Sequence, residues 1–408
     1  MRRPNGSVNT VLLGLVALLL ATGIAFIYSA DQVTGGGRLP SEHWRLQVFW
    51  ALLGAGMLAV AARVPLRILE NLALPAYAGS IALLVATLAM GGGDGPARWI
   101  RFGGFQLQPS ELAKLGVVLF LAKVLTARGR TLDSLRDLLL PCAAAAIPAA
   151  LVVLQPNLGT AIVFGAILTG MLFWAGTPPL LLFLLLSPLV SLLLSFSFAL
   201  WSTFIVALGA LLYATKPGRA ETVYAAGMNL AMGVVTLPLW NSLEDYQKQR
   251  ILVFLNPESD PRGAGWHLLQ SQVAVGSGGL TGQGFLDGSQ KRLAFLPEQH
   301  TDFIFSVVAE EMGFIGVILA LALFAAFVHE SVRVAQSSTD PFGSSVAFGI
   351  ATVFTTHVVV NVAMTVGMMP ITGLPLPFFS YGGSFLLACF LAVAVLQRVW
   401  TERFARRI

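Results

Sequence analysis

Ionisable residues at the edges of long apolar runs carry most of the chemical information in this chain. Asp302 closes the polar run LPEQHTD and opens the apolar run FIFSVVAEEMGFIG, which holds Glu310 and Glu311. A carboxylate at a helix start is either an N-cap or a general base whose pKa is set by partial burial and neighbouring cations. Glu111 and Lys114, three residues apart at the start of another apolar run, share one face of a helix. Ionisable groups at membrane depth are costly and face a protein interior or a watery cavity. The pair is therefore either a structural ion pair or part of a site. Glu310 and Glu311 are adjacent and point in different directions, so at most one faces a given cavity.

The elements that must position these groups are membrane helices. The chain has 408 residues, is 56% hydrophobic and 11% charged, and has a mean hydropathy of +0.77. This composition describes a polytopic membrane protein. Apolar runs long enough for spans lie near 9 to 29, 44 to 62, 71 to 90, 110 to 126, 137 to 154, 158 to 175, 178 to 198, 201 to 215, 223 to 240, 303 to 328, 343 to 367 and 378 to 399. The expected fold class is thus an all-α polytopic membrane protein with about twelve transmembrane helices and a long extracytoplasmic loop. Residues 176–240 are read either as two spans plus a third or as a broken helix, with Pro179 and Pro188 as kink points. Arg2 and Arg3 before the first run resemble a signal peptide, but the run is long and lacks an A-x-A site, so an uncleaved first helix is expected.

Lys and Arg in short loops mark the cytoplasmic face. With both termini cytoplasmic, Arg63, Arg67, Arg128, Arg130, Lys216, Arg219, Arg333, Arg403, Arg406 and Arg407 all fall inside. The segment after Trp240 and the loop from Gly91 to Glu111 then face outward. A second set of cations, Arg38, Arg45, Arg98, Arg101, Lys114, Lys248, Arg250, Arg262, Lys291 and Arg292, concentrates in or beside those two outward loops. Basic residues are ordinarily depleted there, so the set is read either as a site for an anionic ligand or as partners of headgroups and nearby acids. The net charge of +5 gives no reason to expect nucleic acid as a partner.

The polar segment 241–302 carries GSGGLTGQGFLDG, Gly276 to Gly288, whose glycines permit tight turns and close backbone approach to a ligand. They match neither G-x-G-x-x-G nor a P-loop. His267 and His300 have no zinc-type spacing, so no dedicated metal site is expected. Cys142 and Cys389 lie in apolar runs and read as buried small hydrophobes.

Five ordered blocks resemble a known family. They are ARWIRFGGFQLQPSELAK at Ala97 to Lys114, QPNLGT at Gln155 to Thr160, YQKQRILVFLNPESDPRGAGWHLLQSQVAVGSGGL at Tyr246 to Leu280, GQGFLDGSQKRLAFLPEQHTDFIFSVVAEEMGFIG at Gly282 to Gly316 and TGLPLPFFSYGGS at Thr372 to Ser384. The sequence resembles the SEDS proteins, polytopic peptidoglycan glycosyltransferases that include RodA and FtsW. The wording FLDGSQ and FLPEQHTDFIF looks closer to RodA, the elongation member. Two features depart from the family pattern: QPNLGT places Asn157 where the family has Asp, and about twelve spans replace the usual ten. An extra hairpin at 176–222, within a single transmembrane domain of 1–408, accounts for the second.

The resemblance implies an enzyme of the bacterial cytoplasmic membrane that polymerises lipid II, a disaccharide-pentapeptide on undecaprenyl diphosphate, into β-1,4 glycan. It puts the essential aspartate at Asp302, as general base toward the acceptor sugar's 4-hydroxyl. Because diphosphate is a good leaving group, one base with charge stabilisation suffices where glycosidases use two carboxylates. Candidates to hold the diphosphate are Arg98, Arg101, Lys114, Arg250 and Arg262. Glu111, Gln270, Ser271, Gln290, Glu298, His300 and Ser380, all in the matched blocks, are further candidates for substrate binding. A divalent cation, Mg or Mn, is the one cofactor left open. The implied partners are a class B penicillin-binding protein and other membrane proteins of the elongation complex. A lipid II flippase or transporter and a non-catalytic scaffold of a cell-wall synthase are the competing readings.

Overall fold

The structure is a computed structural model, and it describes residues 7–32, 42–90, 98–102, 105–127, 132–243, 245–257, 264–292 and 298–404. Each apolar run becomes a helix. Before the long polar segment come α1 (Thr10–Asp31), α2 (His43–Ala61), α3 (Leu66–Met90), α4 (Pro109–Leu125), α5 (Leu135–Leu154), α6 (Leu158–Trp174), α7 (Pro179–Leu194), α8 (Phe198–Thr215) and α9 (Arg219–Ser242). The polar segment itself folds into α10 (Asp245–Leu255), α11 (Ala264–Ser277) and α12 (Ser289–Arg292). Then follow α13 (Ile304–Ser337), α14 (Pro341–Thr365) and α15 (Gly383–Glu402).

Among the described residues, nine helices are long and apolar enough to cross a membrane. The other three runs are shorter: α6 and α4 have 17 residues and α7 has 16. Leu52 on α2, Leu139 on α5, Val206 on α8 and Val234 on α9 are exposed, as expected where hydrocarbon rather than water is the solvent.

The bundle is centred on α14, which packs on α13, α6 and α4, while α15 lies on α2 and α1 on α13. Phe327, Phe354, Phe378 and Phe390 interlock in its core at centroid distances of 4.8 to 6.2 Å. Cys389 is buried here, and Cys142, half-buried on α5, is also a free thiol.

Residues 176–240 are three helices, with α7 and α8 separated by a turn at 195–197. Pro179 starts α7 and Pro188 is accommodated inside it. These helices share a small apolar cluster of Leu184, Leu208 and Ala225, and polar bonds knit them together. Asn229 Nδ2 donates to Ser187 Oγ at 2.8 Å, Ser191 Oγ to the Asn229 carbonyl at 2.8 Å, and Trp201 Nε1 to Ser191 Oγ at 3.0 Å. Small polar residues at helix spacing allow close approach and replace the hydrophobic drive that is absent in lipid.

The all-α expectation needs one addition. Ile100–Phe102 (β1) and Phe105–Leu107 (β2) form an antiparallel ribbon with Arg101 opposite Gln106. In the sequence Gly103-Gly104 joins these two short runs, a hairpin signal easily lost among the apolar helices.

Candidate active site

A cavity of about 530 Å³ opens where α4, α6, α13 and α15 begin, lined by both polar and apolar groups. Its ionisable lining residues are Arg98, Arg250, Glu298 and Asp302, joined by Trp50, Trp99, Gln106, Gln108, Asn157, Thr301, Thr372, Tyr381 and Ser384. The fold thus brings four sequence candidates together from the β-ribbon loop, α10 and the turn before α13.

Asp302 is half-buried in the turn that precedes α13. Its main-chain carbonyl accepts from Asn361 Nδ2 at 2.8 Å, and the same amide donates to the Leu374 carbonyl at 2.7 Å. Gly373 has φ +72°, and a Cβ there would stand 3.2 Å from Asp302 Oδ2; a side chain would crowd the carboxylate. Burial, and then Glu298, push the Asp302 carboxyl up to about 6, while Arg250 opposes them. A carboxylate in that range is ionised at neutral pH yet far more basic than a free aspartate.

Arg98 is at least partly committed to the protein. Its Nε donates to the Gln155 carbonyl at 2.8 Å and its Nη2 to the Pro156 carbonyl. It therefore anchors the QPN turn at the cavity wall as well as presenting charge there.

The remaining candidates sit elsewhere. Arg101 is exposed on β1 and is not among the lining residues. Glu111 and Lys114 form a buried ion pair of 2.7 Å on α4, and Lys114 Nζ also lies 2.8 Å from His357 Nε2. His357 Nδ1 is 2.9 Å from the Pro375 carbonyl, so this network supports the cavity wall from behind. Ser271 Oγ donates to the Thr365 carbonyl at 2.7 Å and accepts from Ser306 Oγ at 2.7 Å. Ser380 Oγ accepts from the Leu376 N–H at 2.9 Å. Gln270 is half-buried on α11, outside the lining. The Gln290 N–H donates to Glu310 Oε1 at 2.7 Å. His300 stacks on His43 at 4.1 Å, with its pKa lowered chiefly by burial and then by His43. Arg262 lies outside the described residues.

Glu310 and Glu311 are both fully buried, and neither lines the cavity. The glycine-rich segment approaches α13, where α13 is broken at Gly313. Gln283 and Gly284 donate their N–H groups to the Glu310 and Glu311 carbonyls at 3.0 Å each. Phe314 and Ile315 donate to the Gly279 and Leu280 carbonyls at 2.9 and 3.1 Å. The close backbone approach expected of these glycines is thus made to a helix whose own ladder is interrupted.

Sequence reasoning did not single out Trp50, Trp99, Gln106, Gln108, Thr372 or Tyr381. All but Trp50 lie in the quoted blocks, so block membership was the available signal; Trp50, on α2, carried none. Among the described residues, no group of three or more His, Cys, Asp or Glu could hold a metal ion. Glu298 and Asp302 supply two carboxylates, a set that fits magnesium when substrate phosphates and water complete the shell.

The family described as cell cycle protein, that of FtsW, RodA and SpoVE, matches residues 9–404. A Geobacter metallireducens protein named a probable peptidoglycan glycosyltransferase FtsW is 36% identical over 403 residues, 97% of this chain and 95% of its own. The peptidoglycan glycosyltransferase RodA of Treponema pallidum is 35% identical, covering 95% of this chain and 96% of its own. A solved structure concerning coordination of polymerization and crosslinking by a peptidoglycan synthase complex is similar in fold. Its TM-score is 0.73 at 29% identity, over 98% of this chain and 99% of that one. With the family matched almost end to end, this multi-pass membrane protein belongs to the FtsW, RodA and SpoVE family, the SEDS proteins.

Proposed function

We propose that this peptidoglycan glycosyltransferase polymerises lipid II in the cavity around Asp302. The observation that carries the reading is a carboxylate raised to about 6 in a mixed polar cavity that also holds two arginines. Asp302 takes the proton from the acceptor sugar's 4-hydroxyl as that oxygen bonds to the donor's anomeric carbon. The bond from that carbon to the diphosphate breaks, and the electron pair leaves with undecaprenyl diphosphate. A single displacement turns an α-linked donor into a β-1,4 linkage.

Arg250 favours the ionised form of Asp302, and Glu298 raises its basicity. Both arginines offset charge that develops on the leaving diphosphate. A divalent cation, where bound, would be held by Glu298 and Asp302 and would help offset the charge on the leaving diphosphate.

The purified protein in liposomes, given lipid II together with a class B penicillin-binding protein, tests the reading. Wild type makes glycan chains and Asp302→Asn makes none. Lipid II crossing the bilayer with no polymer formed would favour a transporter, and neither activity would favour a scaffold.

The finer assignments follow the same reading. The membrane is the bacterial cytoplasmic membrane, with both termini inside and the cavity outside. The partner is the crosslinking penicillin-binding protein, and the process is elongation, on the strength of the FLDGSQ and FLPEQHTDFIF wording. Depletion in cells should round them; filaments instead would assign division. The hairpin within 176–222 has no catalytic part, since none of its residues lines the cavity.

A further inference from the structure

The Asp302 cavity lies at the end of the bundle where α13 and α15 begin. Both helices finish at the opposite end, about 30 Å away for the 20 residues of α15 at ~1.5 Å per residue. There Arg333 of α13 and Arg403, which caps α15, meet on one indole. The Arg403 guanidinium carbon stands 3.9 Å from the centre of the Trp400 ring and 4.7 Å from that of Phe404. That of Arg333 stands 5.9 Å from the Trp400 ring.

Both arginines keep charge to spare. Arg403 is in no ion pair among the described residues, and of the five N–H groups an arginine carries, Nη1 alone is used, donating to the Trp400 carbonyl at 2.8 Å. Glu402 does not neutralise it, being taken by Arg398 and by the Leu66 N–H. Arg333 has only a 3.4 Å contact to Glu330 Oε2 and is 57% exposed, while the other Glu330 oxygen accepts from Asn9 Nδ2 at 2.8 Å. The Trp400 indole N–H has no acceptor among the described residues.

The mount of Arg403 is built, not loose. Thr339, in the turn between α13 and α14, donates its N–H at 2.9 Å and its Oγ1 at 2.8 Å to the Arg403 carbonyl. With aromatic rings against its plane, the guanidinium offers its N–H edge, the geometry that takes two oxygens of one phosphate. Phe404, 65% exposed, puts an apolar ring beside this charge, an arrangement that fits the boundary between headgroups and hydrocarbon.

We propose that Arg403 and Arg333, gathered on Trp400, form a binding site for the phosphodiester of an anionic phospholipid, on the face of the protein opposite the Asp302 cavity. The occupant is a lipid because the site closes two membrane helices and carries an exposed apolar ring. It is an anionic one because a zwitterionic headgroup would bring a second cation up to two guanidiniums. The site does not depend on the reaction at Asp302 and stands whether or not the chain polymerises.

Full-length protein in detergent is titrated with phosphatidylglycerol, with phosphatidylcholine of the same chains, and with inorganic phosphate, and bound lipid is counted by native mass spectrometry. Wild type should take up phosphatidylglycerol in preference to phosphatidylcholine. Arg403→Gln and Arg333→Gln should each weaken that uptake about fivefold, the scale of one basic residue at an anionic membrane surface. Arg403→Lys keeps the charge but loses the planar fork and should recover only part of the loss. Arg136→Gln, an exposed charge on α5 at the same end of the bundle, should change nothing. Uptake unchanged in both glutamine variants overturns the site. An equal loss in Arg136→Gln also overturns it, since net charge alone would then be the attraction. Inorganic phosphate that displaces the lipid would make this a soluble-anion site and overturn the lipid assignment. Where Arg403→Gln fails to fold, Arg333→Gln, whose side chain is largely exposed, decides the matter.

Discussion

Asn361 Nδ2 bridges the main-chain carbonyl of Asp302, at 2.8 Å, to that of Leu374, at 2.7 Å. A single fully buried amide on α14 therefore sets the turn bearing the carboxylate against the strip that forms the opposite wall. Thr365, one turn further along α14, takes the Ser271 hydroxyl through its carbonyl, and His357, one turn earlier, holds Pro375. One polar ridge at helix spacing positions three separate segments.

Replacing Asn361 by Ala should lower kcat by about a hundredfold while KM changes little, because the carboxylate is displaced and the arginines are not. The melting temperature should also fall, since two buried carbonyls lose their donor at about 1 to 3 kcal/mol each. Steady-state polymerisation and thermal unfolding in detergent check both; a KM effect of the same size would mean the cavity as a whole has collapsed.

Asp302 must be ionised to accept a proton, so kcat/KM should drop below about pH 6, the value to which burial and Glu298 raise it. Arg250→Gln should move that acid limb upward and Glu298→Gln downward. Asp302→Asn should cost about a hundredfold to ten-thousandfold in rate. Stability has the opposite pH sense. The folded protein holds this proton more tightly than the unfolded chain, so the stabilisation is complete below about pH 4 and is lost as pH rises through about 6. Asp302→Asn should therefore melt above wild type at pH 7.5, with the gap closing in acid.

Lys114 is held between Glu111 and His357. With Nδ1 donating to the Pro375 carbonyl, His357 Nε2 must be the acceptor of the ammonium proton, which fixes the neutral tautomer. Lys114→Met leaves Glu111 buried without its cation and should cost about 3 to 5 kcal/mol. Adding Glu111→Gln should recover a good part of that stability. A double-mutant cycle measured by thermal unfolding checks the coupling, and additive losses would show the pair to be independent.

The helical order of the chain was legible because every apolar run is long enough to demand a helix. Asp302, Arg98, Arg250 and Glu298 were legible because charge is rare here and stands out. Trp50, Thr372 and Tyr381 were not, since their place at the cavity depends on packing between α2, α15 and a loop more than 300 residues later in the chain than α2. Ser271 and Ser380 lay in matched blocks, yet their hydroxyls are spent on the Thr365 carbonyl and the Leu376 N–H. Sequence cannot distinguish a polar group that serves the fold from one left over for a ligand. The glycines of 276–288 showed that the backbone must come close to something, and only the fold shows that the something is α13.

That contact makes a final prediction. Gly313 breaks α13 with φ +63°, and a Cβ there would come within 2.3 Å of the Gly282 nitrogen. A Cβ on Gly282, itself at φ +84°, would come within 2.0 Å of the Glu311 carbonyl oxygen. Both obstacles are backbone and cannot rotate away. Gly313→Ala or Gly282→Ala must therefore separate the segment from α13, losing bonds to the Glu310 and Glu311 carbonyls as well as incurring about 1 to 3 kcal/mol of backbone strain. Because α13 begins just after Asp302, the displacement should reach the carboxylate, and polymerisation should fall along with the melting temperature. Gly227→Ala on α9, where a Cβ meets nothing within 4 Å, is the control and should be neutral or stabilising by up to about 1 kcal/mol. If Gly282→Ala and Gly313→Ala melt and polymerise like that control, the segment is not interlocked with α13.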